Sequence, residues 1–222
     1  MNIFYAICCT SRTGSTYLCE LLQSTGVLGR PAEYLNTDAA HEPEWRKRLE
    51  ISSDATLPEY LAALTDRRST SNGVFGVKLT IDNMRRLHDV RRPTHYVYLR
   101  RRDTLRQAIS LYRAWKSGQW VKYCKGPRDK QVPFDREKIV HLRRAIHDHN
   151  RQWQAWFEER DVQPCRLWYD DLTADPRGAV VTIARHLGCL LNDSVQVQAN
   201  TLMMRDDVTQ RWVKMLTDET EK

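Results

Sequence analysis

The chain lacks several features that would have settled its class at once. No apolar stretch approaches the roughly 18–20 residues a bilayer span requires, so the sequence offers no membrane-spanning helix. The six cysteines (8, 9, 19, 124, 165 and 189) show no Cys-x-x-Cys spacing and no close Cys/His cluster. That argues against a zinc site or a disulfide framework and for reduced thiols. Gly-x-x-x-x-Gly-Lys-Ser/Thr is missing too, and with it the lysine of a Walker loop. Internal repeats and low-complexity blocks are absent. The amino-terminal apolar run is short and has no basic segment before it, unlike a secretion signal, so a cytoplasmic protein is expected.

What is present fits one α/β domain with a real core: 222 residues, 41% hydrophobic and 28% charged. Thirty-five Lys and Arg against 28 Asp and Glu give a net charge of +7. Such an excess suits an acidic partner without separating nucleic acid from a small polyanion. A nucleic-acid surface calls for a contiguous basic stripe with interleaved aromatics. Here Arg136-Glu137-Lys138 and Arg160-Asp161 alternate sign, as on a solvated face, so no nucleic-acid partner is expected.

Four short apolar or aromatic runs read as strands: Ile3–Cys9, Gly73–Leu79, Thr94–Arg100 and Pro164–Tyr169. Cys8 and Cys9 fall in the first and are expected as core filler. Helical spacing separates the strands, over Ser15–Thr25 with Gly26 placed as its C-cap, Leu57–Thr65, Asp103–Ser117, Glu137–Glu159 and Asp175–Leu187. The alternation predicts an α/β fold with a mostly parallel sheet flanked by helices. Residues 36–56 and 117–136 read as loops or lids. His147 and His149 stand at i, i+2 on a predicted helix, where their rings diverge onto a solvated face.

Four groups are expected at the carboxyl ends of the strands, where open α/β sheets bind ligands. The first is Thr10-Ser11-Arg12-Thr13-Gly14-Ser15-Thr16, a hydroxyl-rich turn between strand and helix. It would aim backbone N–H groups and a helix dipole at one anion; equally, Thr13 or Ser15 would make it a plain helix cap. The second is Arg100-Arg101-Arg102 at a strand end, with Ser110 in the helix that follows. It offers bidentate phosphate recognition, or is a solvated basic cluster. The third is Glu33 in Pro31-Ala32-Glu33-Tyr34, a general base for a hydroxyl or an ordinary solvated carboxylate. The fourth is Lys78, closing a strand, where it either steadies transferring charge or is simply exposed.

In this order, these groups resemble the sulfotransferases, most closely the bacterial branch acting on carbohydrates. Asn72-Gly73-Val74-Phe75-Gly76, Tyr112-Arg113-Ala114, Trp153-x-x-Trp156-Phe157, Tyr169-Asp170-Asp171-Leu172 and Gln198-Ala199-Asn200 add to the likeness. The resemblance implies a P-loop-like architecture in a single domain and 3′-phosphoadenosine 5′-phosphosulfate (PAPS) as donor, with no metal. It implies that Ser11, Arg12, Thr13, Gly14, Ser15 and Thr16 hold the 5′-phosphosulfate. Arg101, Ser110 and Arg205 would hold the 3′-phosphate. Glu33 would act as base, with Arg12 and Lys78 on the sulfuryl oxygens. Glu33, Tyr34, Trp115 and Trp120 would meet the acceptor, a carbohydrate or glycolipid such as a trehalose-like disaccharide. Indole faces suit a pyranose, although Trp115 at helical spacing reads first as core packing on its helix, which leaves Trp120, in a loop, the stronger acceptor candidate. A homodimer is implied as well. The rival readings are a nucleotide-dependent kinase on a related scaffold and a basic nucleic-acid-binding protein.

Overall fold

The computed structural model describes residues 3–36, 41–120, 132–200 and 207–218. Arg205 and Cys124 lie outside the described residues, as does much of the 117–136 stretch. Four strands, β1 (Ile3–Cys9), β2 (Val74–Leu79), β3 (His95–Arg100) and β4 (Cys165–Trp168), form one sheet in the order β2-β1-β3-β4. Every neighbouring pair is parallel, with Ile7 opposite Lys78, Cys8 opposite Tyr98 and Arg100 opposite Trp168.

Helices cover both faces, which is why β1 is apolar at every position rather than alternating. On one face Phe4, Ala6, Cys8, Phe75, Val77 and Tyr98 meet α3 (Leu57–Arg68), α4 (Ile81–His88) and α6 (Arg136–Glu158). Trp153 of α6 is fully buried there, and its indole N–H donates to the Cys9 carbonyl at 3.1 Å, so the polar edge of the ring is satisfied. On the other face Tyr5, Ile7, Cys9, Val97 and Leu99 meet α1 (Ser15–Ser24), α7 (Tyr169–Ala174) and α8 (Pro176–His186). A third cluster joins α5 (Thr104–Ser117), α6 and α9 (Asp207–Thr217) around Tyr112, Ile146 and Trp212. Cys8 and Cys9 are thus core residues on opposite faces of β1, as expected.

The 36–56 stretch is not all loop. It holds α2 (His41–Arg48), whose sequence carries a single large apolar residue, Trp45, and so shows no helical period. Charge order and tertiary contact make it a helix. Glu42 and Glu44 sit in its first turn and Arg46, Lys47 and Arg48 in its last, matching the helix dipole. The buried Glu42 carboxylate accepts from Arg86 of α4 at 2.7 Å and from Arg46 at 2.9 Å. Burial alone would raise its pKa; the hydrogen bonds from both guanidinium groups outweigh that and hold it below the usual carboxylate range. The helices α4, α7 and α9 were also not anticipated. Tyr169 in particular does not end a strand but opens α7.

Candidate active site

The connections from β1 run to β2 on one side, and the chain then crosses back to place β3 on the other. That reversal leaves a crevice at the carboxyl ends of β1 and β3. Residues 10–14 leave β1 there, and Arg101 to Asp103 leave β3 beside them.

The β1–α1 turn has the backbone of an anion cradle. Arg12 (φ 66°) and Gly14 (φ 82°) are both left-handed, which turns successive peptide units over. Gly14 is the N-cap of α1, and no side chain caps it among the described residues. The alternative of a plain cap by Thr13 or Ser15 is not what forms: the Thr13 hydroxyl donates to the Thr10 carbonyl at 2.9 Å. The N–H groups of the first turn of α1 therefore stay available, with the positive end of the helix dipole behind them. A Cβ on Gly14 would lie 2.4 Å from Cδ2 of Tyr169, so the ring closes tightly over the turn.

Two guanidinium groups flank the cradle on the β3 side. Arg12 donates from Nε to the Ser110 hydroxyl at 3.0 Å and from Nη1 to the Trp120 carbonyl. Arg101 lies over the face of Tyr169, 4.7 Å from the ring centroid, and its buried Nε has no partner among the described residues. The Arg12 pKa is lowered, by burial first and by Arg101 second; that of Arg101 is lowered by burial. Two partly buried cations that repel each other, one with an orphaned donor, suit a phosphate group. Ser110 is expected beside Arg101, but its hydroxyl is taken up by Arg12.

A second pair stands on the β2 side. The loop after α1 meets the outer edge of β2 at Ala32, whose carbonyl accepts from the Lys78 N–H at 2.9 Å. This brings the Glu33 carboxylate to 2.5 Å from Nζ of Lys78, with side chains 24% and 13% exposed. Asn36 donates to the other Glu33 oxygen at 3.2 Å. Burial would push the Lys78 ammonium down, but the Glu33 carboxylate leads the opposing contributions and the net shift is upward. Sequence reasoning placed both residues near the site without foreseeing that they pair.

The aromatic candidates separate. Tyr34 is fully buried, its hydroxyl bonded to the Arg30 carbonyl and accepting from Arg68 at 2.7 Å, so it belongs to the core rather than the acceptor surface. Trp115 is 55% exposed, which disposes of core packing on its helix, and Trp120 is 43% exposed. The exposed His147 ring meets the Thr104 hydroxyl at 3.1 Å, away from that of His149. Among the described residues no group of three or more His, Cys, Asp or Glu is placed to hold a metal. A cavity of about 630 Å³ lined by His88, Arg92, Tyr96, Trp156 and Arg160 opens at the amino end of β3, remote from this crevice.

The architecture is that of sulfotransferase domains, with their P-loop-like fold. Two solved examples superpose on this chain. The domain from the curacin biosynthetic pathway gives a TM-score of 0.56 at 12% identity, covering 98% of each chain. The domain from the Synechococcus PCC 7002 olefin synthase gives 0.54 at 14% identity, over 87% of this chain and 76% of the other. The particular family is fixed by sequence: the profile of the Stf0 sulphotransferases matches residues 4–219, and the chain belongs to that family. It is a transferase. Relatives include the trehalose 2-sulfotransferases of Mycobacterium tuberculosis and Mycolicibacterium smegmatis. Each is 27% identical to this chain, over 83% of it and 84% of the relative.

Proposed function

We propose that this sulfotransferase uses PAPS to sulfate a hydroxyl of a carbohydrate or glycolipid, with Glu33 as general base. The observation that carries the reading is the pairing of Glu33 with Lys78 at 2.5 Å on one side of a backbone anion cradle, with Arg12 and Arg101 on the other. When bound, the donor supplies an SO₃ group to the acceptor oxygen and leaves as 3′,5′-ADP. The cradle of residues 11–16 holds the 5′-phosphate, stabilising the charge that grows on the leaving oxygen. Arg101, with its free Nε, holds the 3′-phosphate. Lys78 neutralises sulfuryl oxygen charge as it exchanges Glu33 for the transferring group. Glu33, once freed, accepts the acceptor hydroxyl proton, a role typically worth about 10²–10⁴ in rate. Exposed Trp115 and Trp120 offer indole faces to a sugar ring. The named activity of the mycobacterial relatives supports a disaccharide such as trehalose as one acceptor to try. A homodimer in the cytoplasm, implied by the family likeness, belongs to the same proposal, and sedimentation tests the oligomer.

Glu33→Gln tests the centre of the reading. Calorimetry should find 3′,5′-ADP affinity nearly unchanged while turnover falls at least about tenfold. A nearly wild-type rate removes Glu33 from the base role. Transfer of radiolabelled sulfate from PAPS to a panel of disaccharides and glycolipids identifies the acceptor.

A further inference from the structure

We infer that Gln107 is a positioning residue for the donor, setting the phosphate-binding turn from outside it. The inference rests on the reading of residues 11–16 as the 5′-phosphate cradle. Gln107 lies in α5 and is fully buried. Its Nε2 donates to the Thr10 hydroxyl at 2.8 Å and to the Ser11 carbonyl at 2.7 Å. The amide orientation follows from chemistry, because a carbonyl only accepts and the nitrogen must face Ser11. Its Oε1 is buried without a partner among the described residues. A buried, half-satisfied amide is a poor choice for packing alone, where a methionine would cost less.

The geometry shows what it does. The carbonyl of Ser11 and the N–H of Arg12 belong to one planar trans peptide and point in opposite directions. By drawing the carbonyl toward α5, Gln107 turns the Arg12 N–H the other way, toward the crevice. The Thr13 hydroxyl does the same for the preceding peptide by holding the Thr10 carbonyl. With both carbonyl oxygens engaged inward, neither presents its negative end to an anion. The left-handed Arg12 then follows as the conformation that joins this peptide to Thr13. Gln107 and Ser110, three residues apart on one face of α5, thus fasten Thr10, Ser11 and Arg12 in succession.

The test compares wild type with Gln107→Met, a chain of similar length with no donor. Calorimetry is run with 3′,5′-ADP, 5′-AMP and 3′-AMP, beside thermal unfolding of the free proteins. Both ligands carrying a 5′-phosphate should lose affinity by about tenfold or more, the scale of a misaligned charge-assisted contact, while 3′-AMP binds as before. Equal losses for all three ligands, or for none, overturn the assignment and leave Gln107 a packing residue. If wild type binds 3′-AMP normally and gains nothing from a 5′-phosphate, the cradle reading itself fails and this inference goes with it. Should Gln107→Met not fold, Gln107→Asn withdraws the amide by about 1.5 Å, one carbon–carbon bond, and the same pattern is expected.

Discussion

Gly14→Ala is the sharpest test of the site's construction. The Gly14 backbone is left-handed (φ 82°), which costs a residue bearing a Cβ about 1–2 kcal/mol. The new methyl would also lie 2.4 and 2.6 Å from two carbons of the Tyr169 ring. That ring is no free-swinging tip: it is held beneath the Arg101 guanidinium at 4.7 Å. Forced overlap of this kind adds about 1–3 kcal/mol, so the substitution should cost about 2–5 kcal/mol in all. Gly26→Ala is the built-in control. Gly26 is equally left-handed (φ 69°), but a Cβ there meets nothing within 4 Å, so it should show the backbone cost alone.

Urea unfolding of Gly14→Ala, Tyr169→Ala and the double variant separates the two contributions. Removing the ring should relieve the overlap, so the double variant is expected about 1–3 kcal/mol more stable than the sum of the single costs. In parallel, Gly14→Ala should weaken 3′,5′-ADP, because the displaced ring no longer backs Arg101. Strict additivity, or a Gly14→Ala cost no larger than that of Gly26→Ala, would refute the claim that Tyr169 seals the turn.

Arg101→Ala should weaken 3′,5′-ADP by about 1.5–3 kcal/mol, the scale of a charge-assisted hydrogen bond; unchanged calorimetric affinity moves the 3′-phosphate site elsewhere. Glu42→Gln probes the anchor of α2. The folded-state pKa of Glu42 is depressed, so its contribution is present above the unfolded value of about 4.3 and fades as pH falls through the folded value. The variant should be about 1–3 kcal/mol less stable at neutral pH, with the gap closing in acid; a gap constant with pH in urea melts refutes the ion-pair account. Trp120→Ala should raise the acceptor KM while leaving 3′,5′-ADP affinity alone, and an unchanged KM removes it from the acceptor surface.

The sheet was legible because its strands are short apolar or aromatic runs bounded by charge or turn residues, a pattern that burial on both faces dictates in β1, β2 and β3. Its edges were less so. Tyr169 follows Trp168 without any break in aromatic character, and only α7 packing through Leu172 shows that the strand has ended. The helix α2 was invisible for the opposite reason. Its one apolar anchor cannot make a period, and its stability comes from Arg86, distant in sequence but 2.7 Å away in space. Short helices such as α4 suffer similarly. Ile81, Met84 and Leu87 make a buried stripe, but three residues over two turns do not distinguish a helix from a loop.

The site divides along the same line between local and long-range information. Strand ends place Arg101 and Lys78 in the crevice whatever their neighbours, because a parallel sheet delivers all its carboxyl ends to one rim. Partners are another matter. That Lys78 meets Glu33 depends on the Ala32 carbonyl binding the outer edge of β2, a contact between segments more than forty residues apart. That Ser110 serves Arg12 rather than Arg101 depends on a left-handed residue in the turn, which no periodicity announces. Tyr34 shows the limit from the other side. It stands beside Glu33 in sequence, but the chain turns there, the Tyr34 N–H donating to the Ala32 carbonyl at 3.1 Å. The turn carries Tyr34 into the core while Glu33 meets Lys78, and there the Tyr34 carbonyl accepts from Tyr60 at 3.0 Å and its ring meets Trp45 edge-on at 4.8 Å.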